Sequence, residues 1–101
     1  MATLIRADGT TEVVKPAGGR KKFSLEEIQK MVGGYVDIQK LPAPVGGKMA
    51  VNDEGKLVGL PMNARASEIW QSAYPIEEYP LNNDGAIAGD VVVFEKGSKE
   101  F

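Results

Sequence analysis

Phe23-Ser24-Leu25-Glu26-Glu27-Ile28-Gln29-Lys30-Met31-Val32-Gly33-Gly34-Tyr35-Val36-Asp37-Ile38-Gln39 spells a helix with both ends marked, followed by a strand. Ser24 to Glu27 form a capping box, in which the Ser24 hydroxyl accepts from the Glu27 amide and the Glu27 carboxylate accepts from the Ser24 amide. Phe23 and Ile28 occupy the two positions of a hydrophobic staple. Leu25, Ile28 and Val32 recur at helical spacing, and Gly33-Gly34 supplies a left-handed stop after a helix of about ten residues. Tyr35 to Gln39 then alternates polar and apolar, as a strand with one wet face does.

Upstream, Thr3 to Arg6 and Thr11 to Lys15 are β-prone runs joined by Ala7-Asp8-Gly9-Thr10, whose Asp-Gly pair marks a hairpin turn. Downstream, Leu41 to Gly47 reads as a loop, because its prolines lack a ladder donor. Met49 to Asn52 and Lys56 to Leu60 flank Asp53-Glu54-Gly55, which predicts a second hairpin with Gly55 in the left-handed region. Asn63 is placed to cap a second helix, with Ala66, Ile69, Trp70 and Ala73 on its inner face. Ile76 to Ala86 reads as the longest loop, and Ile87 to Phe94 as a central strand too continuous for a wet edge. The order ββ-α-β-ββ-α-β predicts an α+β domain over residues 1–95: a mostly antiparallel sheet of about five to six strands with two helices on one face. Residues 96–101 read as a flexible tail.

The 101 residues include no His and no Cys. Histidine proton shuttles, Ser-His and Cys-His nucleophile pairs, Cys/His zinc sites and disulfides are thereby removed. Twelve basic and 14 acidic residues give a net charge of −2. That balance argues against a nucleic-acid partner, which usually requires a basic excess. No apolar run approaches the roughly 18 residues of a membrane span, so the expected location is the cytoplasm and no membrane partner is expected.

Gly33-Gly34-Tyr35, Asn52 before the acidic turn with Gly55, Leu60-Pro61-x-Asn63-x-x-Ala66, and Gly89-Asp90 before the last apolar strand resemble a family of small phage- and mobile-element-associated proteins classed as a domain of unknown function. The resemblance spans nearly the whole chain. It implies an accessory protein with no established reaction, working in the host cytoplasm, and a host-directed role such as interference with a bacterial defence system.

Polar groups that could hold a ligand gather at loop-to-helix junctions. Asn63 and Arg65 stand where the second helix presents free amides, so an anion could sit there; equally, Asn63 is a plain cap and Arg65 a solvated side chain. Arg20, Lys21 and Lys22 follow two glycines and precede the first helix, a set of parts that could hold phosphate or form a solvated turn. Tyr35 offers a stacking surface beside Gly33-Gly34, which is also a simple helix stop. The carboxylates Asp37, Asp53, Glu54, Asp84 and Asp90 are dispersed, and no spacing among them marks a metal site or an acid/base pair.

Gathered donors and scattered acids point to holding rather than transforming. The expected function is therefore non-enzymatic: occupying a host protein or sequestering a small anionic, nucleotide-like ligand, without a cofactor or metal. The alternatives are a small Mg²⁺-dependent carboxylate enzyme acting on nucleotides, and a structural component that self-associates through edge strands.

Overall fold

The computed structural model describes residues 2–43, 45–75 and 86–100. Its elements are β1 (Ala2–Ile5), β2 (Thr11–Val14), a single 3-10 turn (Ala17–Gly19), α1 (Leu25–Val32), β3 (Val36–Lys40), β4 (Lys48–Asn52), α2 (Ala64–Ala73) and β5 (Val91–Phe94). The strands form one antiparallel sheet in the order β2-β1-β5-β4-β3, so the fold is α+β with five strands and two helices. The last strand in sequence is the middle strand in space.

Local chemistry accounts for the first half. In the β1–β2 hairpin, Gly9 takes a φ of 95°, and Asp8 accepts from the Thr10 amide and hydroxyl at 2.9 and 2.7 Å. Both bonds of the capping box are present in α1, and Gly33 ends the helix at a φ of 82°. Gly34 is required for another reason: a Cβ there would come within 2.9 Å of the Asn52 amide nitrogen, which donates to the Val32 carbonyl.

Register assigns the faces. Leu4 and Ala50 both lie opposite Val92, and Ala2 lies opposite Phe94, so these five share one side of the sheet. They bury with Phe23, Ile28 and Val32, and the Phe23 and Phe94 rings meet edge to face at 5.9 Å. Ile5, Met49 and Val91 point the other way and bury with Ala66, Trp70 and Ala73. The two helices therefore cover opposite faces, which corrects the expectation that both lie on one. The physical reason is the continuous apolar run of β5, whose Val91 and Val92 are both fully buried and need cover on two sides.

The predicted strand over residues 56–60 is also corrected. Both neighbours of β4 are already taken, by β3 and β5, so the following residues have no edge to pair with. They coil instead into consecutive turns, with Val58 donating to the Glu54 carbonyl at 3.0 Å and Leu60 to the Gly55 carbonyl at 2.9 Å. Gly55 is not left-handed; its missing side chain matters because a Cβ would lie 2.9 Å from the Ala88 carbonyl oxygen. The turn can thus press onto the backbone before β5.

Helix α2 is tethered at both ends. At its start, Asn63 accepts from the Ala66 amide and donates to the carbonyls of Ile5 and Gly89. At its end, the Tyr74 hydroxyl donates to the Lys40 carbonyl at 2.6 Å. The helix therefore reaches from the end of β1 to the edge strand β3. Residues 76–85 of the predicted long loop lie outside the described residues. The segment read as a flexible tail is bonded to the residue before α1's cap, where the Phe23 amide donates to the Glu100 carbonyl at 2.6 Å.

Candidate functional site

A cleft of about 560 Å³ opens on the α2 side of the sheet. Its floor is the outer part of the sheet, where Asp37 and Gln39 of β3 stand opposite Val51 and Met49 of β4 and so share the face that α2 covers. One wall is the turn after β4, with Asp53, Gly55, Lys56 and Leu57; the other comes from Trp70 and from residues 86–88. The close approach of Gly55 to Ala88 holds the two sides of this mouth together. Asn63 and Ser67 hold the 87–89 backbone: the Asn63 amide donates to the Ile87 carbonyl at 2.8 Å, and the Ile87 amide donates to the Ser67 hydroxyl at 2.8 Å.

The polar groups of the cleft are specific. Gln39 donates its side-chain amide to the Asp37 carboxylate. The Asp53 amide donates to the Tyr35 carbonyl at 2.8 Å, which fixes the start of the turn and places the Asp53 side chain at the cleft. Trp70 is 7% exposed, its ring lies 4.4 Å from that of Tyr74, and its indole N–H has no acceptor among the described residues.

None of the candidate ligand-binding residues Asn63, Arg65, Arg20, Lys21, Lys22 and Tyr35 lines this cleft, whereas Asp37 and Asp53, two of the carboxylates that look dispersed in the sequence, both do. Asn63 is 1% exposed, and its carbonyl and both amide hydrogens are bonded inside the fold, so it has no atom to offer a ligand. Arg65 is exposed in the first turn of α2, on the opposite side of the sheet from α1. Arg20, Lys21 and Lys22 lie before α1, whereas Tyr35, 71% exposed, lies beyond its far end. Arg20 is engaged with α1: its guanidinium donates to Glu27 at 2.6 Å and to the Ala17 carbonyl at 3.1 Å.

Glu27 accepts from the amides of Ser24 and Ala17 as well, and these bonds, with Arg20 nearby, hold its carboxyl below the usual glutamate range. A carboxyl depressed in the folded state adds stability above its unfolded value and loses it as pH falls through the folded one. Wild type should therefore lose thermal stability on acidification below the ordinary glutamate range. Glu27→Gln should lose less over that window while starting lower at neutral pH, and parallel melting curves for the two proteins would refute the assignment.

The residues that form the cleft come from separated segments, and only one signal could have found them: Asp37 and Gln39 fall on the same side of a strand that carries Val36 and Ile38 on the other. Among the described residues, no group of three or more Asp or Glu side chains could hold a metal ion, and no helix is long and apolar enough to cross a membrane. No curated protein and no solved structure matches the chain. The model of one family, described as a domain of unknown function (DUF3846), matches residues 2–101. With that match covering all but the first residue, the chain belongs to the DUF3846 family.

Proposed function

We propose that this chain is a non-catalytic binding protein, an accessory factor of a phage or mobile element that acts inside a host cell by holding a small nucleotide-like ligand. The observation that carries the reading is the cleft of about 560 Å³ between the sheet edge, the 53–57 turn and Trp70. Its size falls in the range of small-molecule sites, and it combines an aromatic wall with a few polar groups, as such sites do. The phage and host setting rests on the resemblance of the sequence alone.

A protein partner is the second reading, favoured by one observation. Leu57 and Val58 project from the turn at the cleft mouth, 86% and 60% exposed. Adjacent apolar side chains left in water beside a cleft are a feature of contact surfaces. Self-association would use the free edges of β2 or β3, the outer strands of the sheet.

Native mass spectrometry of protein purified gently from a bacterial host separates these readings. The expected result is an adduct of nucleotide mass that is lost on denaturation. A stoichiometric protein partner in its place moves the function to the Leu57–Val58 surface. A bare chain that also fails to respond to added nucleosides and nucleotides overturns the ligand reading, and product formation from nucleotides with Mg²⁺ overturns the non-catalytic one.

A further inference from the structure

The two edges of the sheet are not equivalent. The Arg6 amide donates to the Thr10 carbonyl at 2.9 Å, so by the alternation of an antiparallel ladder Glu12 and Val14 also bond to β1. The N–H and C=O groups of Thr11 and Val13 therefore point away from the sheet, and no described residue bonds to them. On β3 the Asp53 amide bonds to the Tyr35 carbonyl, which by the same alternation turns Val36, Ile38 and Lys40 outward. There the Lys40 carbonyl is already taken by the Tyr74 hydroxyl. Of the two edges, β2 is the one with its main chain open.

A groove of about 570 Å³ lies beside this edge, between β2 and α1. Helix α1 packs on β3, β4 and β5, which leaves the groove open at β2. Val14, Phe23 and Met31 give it an apolar floor. Val14 stands opposite Ala2 and Glu12 opposite Leu4, so both side chains lie on the α1 side of the sheet. An open strand edge beside a groove is the arrangement by which a sheet takes up an extended peptide. Main-chain bonds hold the peptide, and its alternate side chains enter the groove.

The charges at the groove select the chemistry of that peptide. Glu12 is paired with Arg6 at 2.5 Å, and Glu27 is held by Arg20 and by the Ser24 and Ala17 amides. Lys15 and Lys30, which also line the groove, have no partner among the described residues. What is left unmet is positive, so acidic side chains complement it. A second copy of β2 fits poorly: its one carboxylate is already held by Arg6, and it would bring the same lysines.

We propose that β2 binds an extended acidic segment of a partner protein as an added outer strand. An apolar side chain of the segment rests on Val14, Phe23 and Met31, and its carboxylates meet Lys15 and Lys30. This surface lies at the opposite edge of the sheet from the cleft and on its other face, so it serves whether or not the cleft holds a ligand.

The full-length, isotope-labelled protein is titrated with the end-blocked peptide Thr-Glu-Thr-Val-Thr-Glu-Thr, which puts Glu, Val and Glu on one face of a strand, and with its counterpart Thr-Lys-Thr-Val-Thr-Lys-Thr. In NMR spectra the acidic peptide should shift the Thr11 and Val13 amides saturably and slow their hydrogen exchange. The lysine peptide should bind about tenfold more weakly or worse. Val13→Pro removes an outward N–H without touching a bond to β1, so it should keep the fold and lose about tenfold or more in affinity. Lys15→Glu combined with Lys30→Glu leaves the edge intact and should lose about tenfold for the acidic peptide. Equal affinity for the two peptides overturns the acidic partner. Binding with Thr11 and Val13 still exchanging freely, or no saturable shift up to about 1 mM peptide, overturns the strand addition. Shifts at Thr11 and Val13 that follow protein concentration alone put a second copy in the partner's place.

Discussion

Asn63→Ala should cost about 3–5 kcal/mol of folding stability, because it removes three buried hydrogen bonds at once. The side chain caps α2 through the Ala66 amide at 3.0 Å and donates to the Ile5 and Gly89 carbonyls at 2.9 Å each. An ordinary helix cap is worth about 1 kcal/mol, so most of the loss comes from the two buried carbonyls that lose the Asn63 donor. Asn63→Asp separates the two roles. It keeps an oxygen for the cap but replaces both donors with negative charge facing carbonyl oxygens, so its loss should equal or exceed that of Asn63→Ala. Denaturant titration of both variants decides the matter; an Asn63→Asp protein within about 1 kcal/mol of wild type would reduce Asn63 to a simple cap.

Gly47→Ala should be comparably damaging for a backbone reason. Gly47 has a φ of 83°, and an added Cβ would come to 2.1 Å from the Phe94 carbonyl oxygen, where the β4–β5 ladder begins at Lys48 and Phe94. A left-handed alanine costs about 1–2 kcal/mol, and displacing main chain at the sheet centre adds about 1–3 kcal/mol. Gly46 is the internal control. Its φ is 72°, but the atoms nearest its added Cβ are the Lys96 Cβ, Cδ and Cγ at 3.0–3.2 Å, a tight contact with a side chain rather than an overlap with a carbonyl oxygen. Gly46→Ala should therefore show the conformational cost of about 1–2 kcal/mol with a small packing adjustment at Lys96, and so lose less than Gly47→Ala. Equal melting temperatures for the two variants would mean that the approach to Phe94 is not what Gly47 provides.

What was legible in the sequence was local. The capping box and Gly33 stop of α1 each involve residues within one turn of one another, and both are present, while the staple residues Phe23 and Ile28 bury in the same cluster. The Asp-Gly hairpin is legible for the same reason, since its bonds close within Arg6 to Thr10. Residues 56–60 misled because β-prone composition cannot reveal that β4 has a neighbour on each side. The side taken by α2 was implicit in the unbroken apolar run of β5, but choosing it required the register that puts Val91 and Val92 on opposite faces. Asn63 was readable as a cap through Ala66, three residues away, whereas its partners Ile5 and Gly89 lie 58 and 26 residues away. The same distance hid the cleft. Asp37, Asp53 and Trp70 look dispersed along the chain, and only the antiparallel return of β4 beside β3 and the tethering of Tyr74 to Lys40 bring them to one mouth.

The position of β5 also governs when this protein can come into being. Before Val91–Phe94 emerge during synthesis, the nascent chain can form a β1–β2 hairpin and a β3–β4 hairpin, but the strand that joins them does not yet exist. Each half has an unpaired inner edge and half a core, a state in which chains are prone to associate wrongly. Closure inserts one strand between two waiting partners and pairs Ala2 with Phe94, so folding of this sheet waits for β5 to be synthesised and then proceeds through contacts of long range.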